Sequence, residues 1–227
     1  MLSTVIIYIV LFAVFTGVHL YGSQIKRESL RGATKPVILL CILGMYLEWV
    51  HFKGAEPSLL VVLALITSWL GDVLLIPHGV KWFTIGGIAF WISHFLFIFS
   101  YVESGIIFSN INPLWIVLIV LVYAPTVVVI FTKLKAHLPK ALFYPMFLYL
   151  MTNGAMNVFA WFRLLSGGCT LASGLATGIG ALLFFVSDCS LFFVRFDKNS
   201  KMKTHFTVML TYSVGEFLIA VGLMLLA

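Results

Sequence analysis

The sequence predicts an all-α, polytopic membrane protein, a single bundle of eight transmembrane helices. Three observations carry this. Of its 227 residues, 62% are hydrophobic and only 10% charged, and the mean hydropathy is +1.11. A soluble domain carries roughly 25% charged residues. Eight stretches approach the roughly 20 apolar residues that a membrane span needs. The basic residues gather in alternate connecting segments, as the positive-inside rule expects of a membrane protein.

In chain order the expected spans are 3–21, 36–52, 58–76, 82–101, 113–132, 140–162, 172–194 and 206–226. The first has no basic residues before it, and Lys26 and Arg27 follow it. It therefore reads as a retained helix and not as a cleaved signal peptide. Pro36, Pro57, Pro77, Pro113 and Pro139 punctuate the breaks, because proline is tolerated at segment ends. If residues 22–35 face the cytoplasm, twelve Lys and Arg residues fall on that side. Only Lys53 and Arg163 fall on the other. Both termini are then expected outside the cytoplasm. The connections leave no room for a separate soluble domain, so residues 1–227 read as one integral-membrane domain.

Several function classes are disfavoured. The net charge of +6 comes from loop residues that set topology, and no nucleic-acid partner is expected. Cys41, Cys169 and Cys189 show no C-x-x-C spacing, and the six histidines form no H-x-x-x-H or H-E-x-x-H pattern. Neither a zinc site nor any other metal or organic cofactor is indicated.

What the sequence does show is two carboxylates inside apolar runs. Ser68-Trp69-Leu70-Gly71-Asp72-Val73-Leu74-Leu75 lies in the third span, and Val186-Ser187-Asp188-Cys189-Ser190-Leu191 in the seventh. Both read small-Asp-x-x-Leu. An ionisable residue at membrane depth is expensive and points to function. Both spans run from outside to inside. Their aspartates are expected about four and six residues from the inner ends, or roughly 6–9 Å at the helical rise. Each stands on the third helix of a four-helix half, which fits a possible 4+4 internal duplication.

Other polar residues fall in the spans. Tyr149, Asn153 and Asn157 recur at i, i+4 and i+8 and share one face of the sixth. They read either as interhelical hydrogen bonding or as a cavity lining. His94 is mid-span in the fourth. Glu216, with Tyr212 one turn before it, is mid-span in the eighth and must be paired, protonated or wetted. The small residues from Ala172 to Ala181 read as a close-packing surface. Lys35, Lys81 and Arg195 mark the cytoplasmic rim, as topological anchors or as contacts to a lipid phosphate.

Taken together, these residues resemble the YhhN-like lysoplasmalogenases. The resemblance is carried by Thr34-Lys35-Pro36, by Ser68 to Leu75, and by Phe83, Gly86, Phe90 and His94. Gly180-Ala181-Leu182-Leu183-Phe184 follows, leading into Ser187-Asp188 and then Arg195-Phe196. The chain departs from the family pattern at Phe97, where a tyrosine is usual, and at Glu216, where glutamine is common. The resemblance implies hydrolysis of the vinyl ether of a lysoplasmalogen to a fatty aldehyde and glycerophosphoethanolamine or glycerophosphocholine. It places the two essential acids at Asp72 and Asp188. The expected partners are this lysophospholipid and membrane lipids. The expected location is a bacterial inner membrane, with the site towards the cytoplasm.

The chemistry suits two carboxyls. A vinyl ether needs one protonated acid and one ionised carboxylate around an oxocarbenium-like transition state, as glycosidases use. Which aspartate is the acid stays open; the more apolar sequence neighbours of Asp72 point weakly to it. The expected substrate contacts are His94, Tyr149, Asn153, Asn157, Glu216 and Lys35. The rival reading is a proton-coupled secondary transporter that uses the same intramembrane acids.

Overall fold

The computed structural model describes residues 2–197 and 205–225. Among them there are eight α-helices and no strand: α1 (Leu2–Gln24), α2 (Glu28–Phe52), α3 (Leu59–Leu74), α4 (Val80–Glu103), α5 (Pro113–Lys135), α6 (Phe143–Leu165), α7 (Leu171–Phe196) and α8 (Phe206–Met224). Six of these are long and apolar enough to cross a membrane. Of the other two, α3 has only 16 residues, about 24 Å of helix. The α6 helix has 23 residues, but Tyr149, Asn153 and Asn157 interrupt its apolar sequence.

Some boundaries differ from those the sequence suggests. The α2 helix begins at Glu28, and Pro36 lies inside it, not at its start. The ring removes the donor that the Gly32 carbonyl would meet in a regular helix; separately, the Pro36 carbonyl accepts from the Trp69 indole at 3.0 Å. A 3₁₀ turn at Lys140–Leu142 precedes α6, so that helix starts three residues later than expected. Asp72 is two residues from the last residue of α3 (72 to 74), and Asp188 eight from that of α7 (188 to 196). The α7 helix runs on past the level of the site.

Packing follows residue size. The hairpins α1–α2, α3–α4 and α7–α8 make the broadest contacts, and the halves meet through α2–α8 and α4–α6. The closest approach is α7 on α8. A Cβ at Gly180 would lie 2.7 Å from the Gly215 carbonyl oxygen and 2.7 Å from the Ile219 nitrogen. Only glycine lets the two backbones touch there. The α1 and α5 helices are peripheral and expose most of their apolar side chains.

One cation in the sequence-based count has an unexpected setting. Arg163, read from sequence as an outer-side charge, lies in the last turn of α6 and is wholly buried. Its neutral acceptors come from the end of α4, from α7 and from α8. Lys198, Lys201 and Lys203, which contribute to the inner-side count, lie outside the described residues.

Candidate active site

Asp72 and Asp188 line one cavity of about 180 Å³ at the end of the bundle where α3 and α7 terminate and α4 and α8 begin. Both side chains are nearly inaccessible. The apolar faces of α3 and α7 place them there: each residue sits on the buried side of an otherwise hydrophobic helix. Gly71, beside Asp72, lets the Phe90 ring of α4 lie against the α3 backbone. A Cβ at Gly71 would lie 2.5 Å from that ring. Beside Asp188, the Ser187 hydroxyl donates to the Val208 carbonyl of α8 at 2.8 Å.

The two carboxyls have different partners. Asp72 Oδ1 is 3.1 Å from the Lys35 ammonium, and Oδ2 accepts from the Tyr212 hydroxyl at 2.8 Å. Asp188 Oδ2 accepts from the Tyr149 hydroxyl at 2.6 Å and from the Asn153 amide at 2.7 Å. His94 Nε2 is 3.6 Å from the same oxygen, too far for a hydrogen bond. Among the described residues, both ring nitrogens of His94 lack a hydrogen-bond partner. Asp72 therefore has a cation beside it, whereas the hydrogen-bond donors to Asp188 are neutral.

The partners repeat across the two halves. Each aspartate is met by the second helix of its own half and by the fourth helix of the other. For Asp72 these supply Lys35 (α2) and Tyr212 (α8); for Asp188, Asn153 (α6) and His94 (α4). Lys35 to Asn153 and His94 to Tyr212 are both steps of 118 residues (153 − 35 and 212 − 94). The partners thus share one step, while the aspartates themselves stand two residues closer (188 − 72 = 116). Phe90 and Val208, the neighbours of Gly71 and Ser187, stand at the spacing of the partners (208 − 90 = 118).

Not all the residues singled out from sequence reach the cavity. Lys35 lines it, with Asp72 and Asp188. Tyr149, Asn153 and His94 gather around Asp188 but are not among the cavity walls. Asn157 is one layer further out. It donates to the Asn153 carbonyl at 3.0 Å and accepts from Tyr123 at 3.2 Å. Glu216 is fully buried, with Ser68 beside it and no hydrogen bond to either carboxyl oxygen among the described residues. It too is absent from the cavity wall.

Residues outside the set of substrate contacts expected from sequence also line the wall, among them Tyr212, Phe90, Arg31, His205 and Glu28. Tyr212 carried one usable signal, its place one helical turn from Glu216. Arg31 Nε is buried without a partner among the described residues. At the mouth, His205 precedes α8. Burial, and then the nearby cations Arg31, Lys35 and Arg195, push its imidazole down to about 4. Cations therefore dominate the field at His205, and this mouth suits an anionic group.

Chemically, the arrangement offers a carboxylate with a fixed counter-ion, a second carboxyl held by neutral donors, and a basic mouth. No curated protein and no solved structure shows a significant match to the chain. The YhhN family model matches residues 30–223, a stretch that holds both aspartates and the side chains that contact them. The chain belongs to the YhhN family.

Proposed function

We propose that this protein is a lysoplasmalogenase that cleaves the vinyl ether of its substrate with Asp188 as proton donor and Asp72 as base. The observation that carries the proposal is that both carboxyls open into one cavity with unlike partners. The Lys35 ammonium supports an ionised Asp72. This reverses the weak preference drawn from sequence neighbours, because Lys35 comes from another helix.

The reaction runs as follows. Asp188 gives its proton to the β-carbon of the vinyl ether, and the charge left on the α-carbon and ether oxygen is an oxocarbenium ion. Asp72 removes a proton from a water as its oxygen bonds to the α-carbon. The resulting hemiacetal collapses. Its hydroxyl proton returns to Asp188, and the proton on Asp72 goes to the departing glycerol oxygen. One water is consumed, and both acids return to their starting states. Tyr149 and Asn153 hold Asp188 in place, and Asn157 holds Asn153. His94 is close enough to strengthen its contact with Asp188 once substrate is bound. Glu216 is beside Ser68, whose hydroxyl pairs with that of Ser93 at 2.8 Å, and supports the site from within. Arg31 and Arg195 receive the phosphate.

The setting belongs to the same proposal. All eight helices traverse a bacterial inner membrane as one domain of two related halves. Both termini lie outside the cytoplasm, and the cavity opens towards it. The six long apolar helices and the membrane-bound nature of the substrate support this.

The test is aldehyde release from lysoplasmalogen by purified protein. Asp72→Asn and Asp188→Asn are each expected to abolish it while the protein stays folded. The double variant should lose little more, because residues that act as a unit are non-additive. Near-normal turnover by either single variant removes that residue from the mechanism. No aldehyde from the wild type, with proton-linked uptake into liposomes instead, returns the transporter reading.

A further inference from the structure

The polar cavity is small for a whole lipid. Its volume of about 180 Å³ is below the roughly 300–1,000 Å³ of pockets that enclose drug-sized ligands. On the lysoplasmalogen reading, on which this inference rests, the alkenyl chain must lie elsewhere. Two apolar grooves on the bundle have the right lining. The larger, about 820 Å³, lies among α5, α6 and α7 and includes Val122, Trp161 and Cys189. It shares no wall residue with the cavity. The α7 helix stands between the two, with Asp188 on one face and Cys189 on the other.

The smaller groove, about 400 Å³, runs between α4 and α6 and ends on Phe192 of α7. It does meet the cavity. Phe83 lines both. Tyr149, the donor to Asp188, is a groove residue. Phe83 is fixed edge-on by Phe192 and Phe196, and the Arg195 guanidinium lies 5.7 Å from its ring centre. One aromatic side chain thus separates the polar mouth from an apolar slot, with Asp188 at the junction.

The geometry points to the α4–α6 groove as the binding site for the hydrocarbon chain of a single-chain amphiphile, its vinyl ether at Asp188 and its phosphate at Arg31 and Arg195. The groove adds little affinity, because a chain that leaves the bilayer exchanges one apolar medium for another. What it supplies is position: a chain seated there fixes which bond stands at the carboxyls.

Gly87 provides a clean test. It lies on the groove wall, and a Cβ built on it meets no atom within 4 Å. A Cβ there therefore displaces no neighbour, a larger side chain has the groove to extend into, and the substitution improves the helix propensity of α4. Gly87→Phe is expected to lower kcat/KM for a long-chain lysoplasmalogen by about tenfold or more, as for a misfitted methylene in an apolar pocket. A short-chain analogue should be cleaved at close to the wild-type rate. Gly87→Leu should shift the same ratio less. Val122→Trp, which fills the larger groove, should leave it unchanged. Equal effects of Gly87→Phe on both chain lengths overturn the groove assignment while the hydrolase reading stands, as does a change in the ratio with Val122→Trp alone. A wild type that releases no aldehyde overturns both.

Discussion

Lys35 and Asp72 form an ion pair at 3.1 Å, with the aspartate side chain almost wholly buried and the lysine side chain 16% exposed. The pair joins α2 to α3 at the wall of the cavity. A lysine that only held a substrate phosphate would act equally in ground and transition states, and its removal would raise KM. A lysine that maintains the charge of the base acts on the chemical step. Lys35→Met is therefore expected to lower kcat on the order of a hundredfold, at the low end of what general base catalysis contributes, with a smaller change in KM. Steady-state kinetics of aldehyde release separate the two. An unchanged kcat with a raised KM would return Lys35 to phosphate binding.

That pair also shows where sequence reading stops. The apolar runs make the helices legible, because burial in lipid requires them. Asp72 and Asp188 stand out because carboxylates are rare in such runs. Tyr149 and Asn153 are legible as a pair through their spacing on one helix face. Their contact with Asp188 is not, since it depends on how α6 meets α7. Tyr212 reaches Asp72 across 140 residues, and periodicity carries no information about such a contact. Pro36 misled for a local reason. It marks a break by propensity, yet the structure carries the helix through it. The burial of Arg163 is not legible, because a count of loop cations records charge and not where the side chain goes.

His205 gives a pH dependence with a definite sign. Its folded value is pushed from 6.5 to about 4 by burial and then by Arg31, Lys35 and Arg195. Between these limits the unfolded chain binds a proton that the folded protein does not. Stability from this group is complete above about pH 6.5 and falls as the pH drops towards 4. The wild type in detergent is expected to lose Tm from about pH 7 to about pH 5, within the window that the linkage sets. His205→Asn should lose measurably less. Parallel Tm curves for the two proteins would show that other groups control the acid sensitivity.

Arg163 is the prediction about the far end of the bundle. The guanidinium is wholly buried, and among the described residues no carboxylate forms a salt bridge with it. Its Nε donates to the Ser104 hydroxyl at 2.8 Å. One terminal nitrogen donates to Thr177 Oγ1 at 2.7 Å, and the other to Ser173 Oγ at 2.7 Å. Longer bonds reach the carbonyls of Ser173 and Gly222, both at 3.3 Å. One planar fork thus ties the end of α4 to α6, α7 and α8. Desolvating the cation costs several kcal/mol, and hydrogen bonds made by a charged group return about 1.5–3 kcal/mol each. With three short bonds and two long ones, the sum favours the folded state. Arg163→Met is expected to lose on the order of 3 kcal/mol of stability, read as a drop in Tm in detergent. Arg163→Lys should recover little, because a point ammonium cannot span the same set of acceptors. The aspartates lie at the opposite end of the bundle, so KM for the fraction that remains folded should stay near wild type. A methionine variant as stable as the wild type would mean that the hydrogen bonds only offset the desolvation of the cation, and that this end of the bundle is held by the glycine-lined contact of α7 with α8.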